Sequence, residues 1–165
     1  MRAPGKVLVF GGVLLATFGM LYGLWYALAL EHQTLNGMGV SLSRAFAAAA
    51  ERRSTESEDA LAAYGKTKCD YLRQVDVHSH WIGLAMLLIV LGMAFEKVGF
   101  AERTRLRLAL ALLTGSVVFP LGVILETARV GAAASGLAVS GSVLVIGSLA
   151  VIAVGFARKR AGDPA

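Results

Sequence analysis

Charged residues are nearly absent from four long stretches of this sequence, and that absence decides its class. Only 16% of the 165 residues are charged while 56% are hydrophobic, and the apolar residues lie in blocks rather than at the spacing of a soluble core. The blocks fall at roughly 7–30, 81–95, 106–125 and 132–157. A helix needs about 20 mostly apolar residues to cross the hydrocarbon layer. The first, third and fourth blocks reach that length. The second reaches it only with His80 and Glu96 placed in the two interfaces.

Cysteine is nearly missing as well. Cys69 stands alone, which excludes an internal disulfide and leaves a small packing residue or a free thiol. No Ser-His-Asp order is convincing, and Gly11-Gly12 and Gly39 lack the strand and helix context of a phosphate-binding loop. Within the four spans, ionisable groups are lacking at mid-depth, where proton-coupled transporters place their relays. The hydroxyls there, Thr17, Thr114 and Ser116, are explained by bonds back to their own helices.

The charge that is present sits at the ends of the blocks. Arg2, Lys6, Lys97, Arg103, Arg105, Arg107, Arg158, Lys159 and Arg160 face only Glu96, Glu102 and Asp163, whereas the other segments carry seven basic and eight acidic residues. An excess of Lys and Arg beside short loops orients those loops to the cytoplasm. The sequence therefore predicts a plasma or inner membrane protein with both termini cytoplasmic. The net charge of +5 reports topology, and no nucleic-acid partner is expected. The basic loop at 103–107 reads as an anchor for anionic lipid. Arg2, Lys6, the first apolar run and Ala27-Leu28-Ala29 also resemble a signal peptide, but a run of this length favours a retained helix.

The fold expected is all-α: a four-transmembrane-helix up-down bundle, with spans at about 7–30, 78–97, 105–126 and 132–157. An extramembrane helical hairpin over 31–77 joins spans 1 and 2. In that segment Leu35, Met38, Leu42, Ala45, Phe46 and Ala49 recur at helical spacing. A turn is expected at 52–59, with Thr55 and Glu58 as a capping box. A tight outer turn is expected at 127–131. Packing within the bilayer should use small residues: a Gly19/Gly23 pair in span 1, and Gly136, Ser140, Gly141, Gly147 and Ser148 in span 4. Pro120 is expected to disturb span 3.

All three histidines fall at the outer rim in this topology, His32 after span 1 and His78 and His80 before span 2; Glu31, Asp76 and Glu126 reach the same level. Imidazoles and carboxylates are the ligands of transition metals, and imidazole also serves as an axial haem ligand. One ligand set is His32, His80 and Glu126 for copper, zinc or iron, with Asp76 placed four before His80 to orient its ring. The haem b alternative takes axial ligands from His32 and His78 or His80. On a helix, His78 and His80 point about 200° apart, so either the helix begins after them or only one is a ligand. Equally, each histidine reads as an interfacial or capping side chain. Met20, Met38, Met86 and Met93 are read as packing rather than thioether ligands.

The segment His78-Ser79-His80-Trp81-x-x-Leu84, followed by Leu91-Gly92 and Phe95, resembles a recurring His-x-His segment. It opens a span in small membrane proteins distantly similar to haem-copper oxidase subunits. The full ligand pattern of those oxidases is absent, and no residue role is carried over. Three functional expectations follow: a redox or metal-handling protein with a rim cofactor, a non-catalytic accessory or scaffold subunit docking a partner through the hairpin, or a carrier for small apolar molecules. A homo-oligomer or larger membrane complex is expected, with no independent catalytic activity.

Overall fold

A computed structural model describes residues 2–127 and 131–160 of the chain. Among these residues the chain is entirely helical. The elements are α1 (Ala3–Tyr26), a π-helical segment (Ala27–Glu31), α2 (His32–Ala50), α3 (Ser54–Ala94), a 3-10 turn (Phe95–Lys97), α4 (Glu102–Thr127) and α5 (Ala132–Arg160). The helical stretches Ala3–Ala50, Ser54–Lys97, Glu102–Glu126 and Ala132–Arg158 are each long and apolar enough to cross a membrane. The four-helix expectation stands. The outer turn expected at 127–131 lies largely outside the described residues.

The chain divides into two compact units. One holds residues up to 20 together with 77 onward; the other holds 21–76. In the first unit, small residues recur every seven positions along α1 and α3. Gly5, Gly12 and Gly19 are all buried on α1, as are Ala85 and Gly92 on α3. They face each other in antiparallel register. A Cβ on Gly12 would lie 2.9 Å from the Ala85 carbonyl oxygen, and one on Gly92 would lie 2.9 Å from the Gly5 carbonyl oxygen. The next step of the same register sets His78 against Gly19. Between these small positions the large ones are filled by Leu8 and Leu15 on α1, by Trp81 and Leu88 on α3 and by Phe95 in the 3-10 turn, all at most 5% exposed. A seven-residue period is the signature of helices that wrap with a left-handed crossing. It replaces the expected four-residue Gly19/Gly23 pairing as the organising pattern.

α4 and α5 use the same device. Ala134, Gly141, Ser148 and Gly155 form a buried seven-residue series on α5. A Cβ on Gly141 would meet the Phe119 backbone nitrogen at 2.5 Å, and one on Gly122 would meet that of Ala138 at 2.3 Å. Of the span-4 residues expected to pack, Gly141 and Ser148 do so, whereas Gly136 and Gly147 face open space. Thr17 and Ser116 donate to the carbonyls of Val13 and Leu112, at 2.9 and 2.8 Å, which satisfies these hydroxyls as expected. α4 continues through Pro120 rather than ending there.

The second unit contains a helical hairpin. Its turn comes earlier than expected. Arg53 N–H donates to Ala48 at 2.8 Å and Arg52 N–H to Ala49 at 3.0 Å, the paired bonds of a Schellman closure. Arg52 takes the left-handed position, with φ 59°. α3 then begins at Ser54, so Thr55 lies inside its first turn and does not serve as the expected cap. The two arms are tied by the Arg44–Glu56 ion pair at 3.2 Å and by Ser57 Oγ donating to the Ala45 carbonyl at 3.0 Å. Arg53 also pairs with Glu56.

A valine at Gly122 must push α4 and α5 apart, because its Cβ would meet backbone rather than a flexible side chain. Overpacking of this kind costs about 3 kcal/mol. By contrast, Gly37 has nothing within 4 Å of an added Cβ, and Gly37→Ala in mid-helix should stabilise by about 0.5 kcal/mol. Thermal unfolding of both variants in detergent should show changes of opposite sign.

Candidate functional site

α3 is continuous through His78 and His80. The possibility that the helix starts after them, freeing both for one site, is therefore removed. The two rings take different neighbours. His78 Nδ1 lies 2.9 Å from the Gly19 carbonyl oxygen on α1. A carbonyl only accepts, so the neutral ring must carry its proton on Nδ1 and keep its lone pair on Nε2. His80 instead stands edge-on to the Phe119 ring of α4, with centroids 4.9 Å apart and planes at 86°. One histidine addresses α1 and the other α4, as their two-residue interval dictates.

The other rim residues are distributed along several elements. His32 is the first residue of α2 and is exposed, directly after the π-helical segment. Asp76 is exposed on α3, four residues before His80. Glu126 is half-buried near the end of α4. Among the described residues, no group of three or more His, Cys, Asp and Glu side chains gathers as a metal ion requires. Glu31, which closes the π-helical segment, accepts the Tyr71 hydroxyl at 3.2 Å.

That bond belongs to a set of contacts the sequence pattern did not indicate. Tyr22 donates its hydroxyl to Gln74 Oε1, and the rings of Tyr26 and Tyr71 lie 6.4 Å apart. The partners of Tyr22 and Tyr26 lie about 50 residues further on, beyond the reach of any local pattern. The π-helical segment is also new. Such segments shift every following residue by about 100° around a helix and recur at functional sites. Here the shift sets the facing of Glu31 and His32.

Two cavities lie in the first unit. An apolar groove of about 460 Å³ is lined by Leu14, Phe18, Trp81, Leu113, Val117 and Leu121, with Phe18 and Trp81 in edge-to-face contact at 5.0 Å. A second, more polar cavity of about 370 Å³ lies among Arg2, Glu96, Phe100 and Arg105. No protein-family model matches this chain, and no curated protein or solved structure matches it significantly.

The Glu31 carboxylate beside Tyr71 raises the phenol above its ordinary value of about 10, because ionising the ring would break the hydrogen bond and set two negative charges together. The folded-state value is the raised one, so this contact contributes stability below pH ~10 and loses it as pH climbs through the folded value. Comparing phenolate absorbance titrations of the natural chain and Tyr71→Phe should isolate a late-ionising phenol. In Glu31→Gln that phenol should titrate earlier; an unchanged curve would exclude the contact.

Proposed function

We propose that the protein is a non-catalytic accessory subunit of a membrane complex, docking a helix of a second membrane protein through its hairpin. The supporting observation is the apolar surface the hairpin leaves uncovered. Leu35 and Phe46 on α2 are 45% and 68% exposed, and Leu61 and Leu72 on α3 are 48% and 49% exposed. Each pair is eleven residues apart, three full turns, so each helix carries a stripe aligned with its axis. The residues that α2 buries are instead the small Ala45 and Ala48. In this reading the hairpin stands outside the membrane, both termini are cytoplasmic, and the membrane is the plasma or inner membrane. Aligned apolar stripes of this kind fit an amphipathic helix.

A photo-reactive residue at Phe46 in native membranes should give one discrete heavier species containing a different polypeptide. Leu35→Glu and Leu61→Glu should abolish it while leaving the chain in the membrane. A species of twice the chain's own mass would replace the hetero-complex with a homo-oligomer. No discrete species would reject docking.

A second reading, haem at the outer rim, draws support from His78 alone. An imidazole held through Nδ1 by a backbone carbonyl presents Nε2 as a haem or metal ligand does. The three-ligand metal set of His32, His80 and Glu126, with Asp76 behind it, has no comparable support. Purified protein should then show a Soret band lost in His78→Ala and retained in His80→Ala. Absence of the band after supplementation with haem would reject this reading.

A further inference from the structure

The polar cavity at the opposite end of α3 points to a ligand of its own: we infer that it binds a phosphate group, carried by an anionic lipid headgroup or free in solution. The argument begins with Arg105. Its side chain lines the cavity yet the residue is only 7% exposed. A guanidinium does not shed its proton on burial, so the buried charge needs an anion. Nη1 donates to the Glu96 carbonyl at 3.3 Å, a long bond to a neutral acceptor, and Nε has no hydrogen-bond partner among the described residues. No described carboxylate forms an ion pair with it.

The carboxylate that lines the cavity is committed elsewhere. Glu96 Oε1 accepts the backbone N–H of Arg2 at 2.7 Å, which fixes the start of α1 against the end of α3 and brings the Arg2 side chain to the cavity wall. The third wall is the segment 98–100. It is held by Gly99 N–H donating to Gly155 at 2.9 Å, and by Val98 and Phe100 seated where a Cβ on Gly155 would be. The Phe100 ring then carries a third guanidinium, that of Arg158, 5.6 Å from its centroid. The start of α1 and the first turn of α4 thus bring Arg2 and Arg105 to one cavity of about 370 Å³, and Arg158 of α5 lies against the Phe100 ring of its wall.

Arginine forks match the oxygens of a phosphate, and hydrogen bonds between two charged partners are roughly twice as strong as neutral ones. A tetrahedral oxyanion also suits several guanidiniums approaching from different directions better than one planar carboxylate does. The exposed Arg103 and Arg107 nearby add a diffuse attraction that raises the local concentration of anions without making a site. Where this end lies at the cytoplasmic leaflet, an anionic phospholipid is the phosphate at hand.

The test uses the full-length chain in a neutral detergent, with thermal unfolding followed while phosphatidylglycerol, phosphatidylcholine or inorganic phosphate is added at constant ionic strength. A rise with phosphatidylglycerol alone assigns the lipid headgroup; a rise with inorganic phosphate as well assigns the phosphate group itself. Arg105→Gln and Arg2→Gln should each weaken the apparent affinity about ten-fold, as loss of a charged hydrogen bond does. Arg107→Gln, outside the cavity, should leave it unchanged. Should Arg105→Gln not fold, Arg2→Gln decides. Either no greater rise with phosphatidylglycerol or phosphate than with phosphatidylcholine, or an Arg107→Gln loss equal to that of Arg2→Gln, overturns the inference.

Discussion

The close antiparallel approach of α1 and α3, set by a small residue every seventh position, is the constraint on which the rest of the first unit depends. Inside a bilayer, burying leucine against leucine removes it from lipid rather than water, so the hydrophobic term contributes little. What remains is dispersion, and a gap of about 1 Å already forfeits up to half of each contact. Gly5, Gly12 and Gly19 let the α3 backbone come close enough for Leu8, Leu15, Trp81, Leu88 and Phe95 to interlock. The same logic, applied to Gly122 and Gly141, draws α4 against α5. A side chain at any of these positions does not merely clash locally; it lifts the neighbouring large residues out of contact over a whole turn.

This packing also explains how His78 is oriented. His78 occupies the next step of the series Gly92, Ala85, where a small residue would otherwise face Gly19. A ring placed there meets backbone at once, and its Nδ1 lies 2.9 Å from the Gly19 carbonyl oxygen. The tautomer of His78 follows from helix packing, without any cofactor being needed to impose it. His80, two positions on, is turned away from α1 by the helix period and takes an aromatic neighbour instead. The structural and ligand-binding readings of His78 are therefore compatible: the contact that satisfies one nitrogen is the contact that presents the other.

The four spans were legible because block length and missing charge depend only on composition along the chain. The hairpin was legible too, through the helical recurrence of Leu35, Met38, Leu42 and Phe46. Its facing was not. The recurrence left open whether the apolar faces meet each other or a partner, because the period alone does not say which side is covered; Ala45 and Ala48 are buried and Phe46 is exposed. The glycine series was visible in principle, but a four-residue motif in span 1 masked the seven-residue repeat. The repeat becomes compelling only when α3 is laid against α1 in reverse order. Arg52 in a left-handed position and the π-helical segment had no local signature. The polar cavity brings Arg2 beside residues 94 or more positions further along the chain, and nothing in single-chain patterning pairs them.

Exposed apolar residues occur in both units, and the charges beside them separate two meanings. On the spans, Phe10, Leu14, Met20 and Ile146 are more than half exposed, with only apolar or small polar neighbours. Such a surface is what hydrocarbon solvates. Between residues 54 and 76, Leu61 and Leu72 are similarly exposed. There, however, Glu56, Glu58, Asp59, Lys66, Lys68, Asp70, Arg73 and Asp76 share the helix with them. Each charge at the centre of a membrane helix costs about 3 kcal/mol even on the mildest scales, so this stretch of α3 is excluded from the bilayer core. Leu61 and Leu72 therefore have no lipid to face. The second membrane protein proposed to dock on the hairpin would cover them.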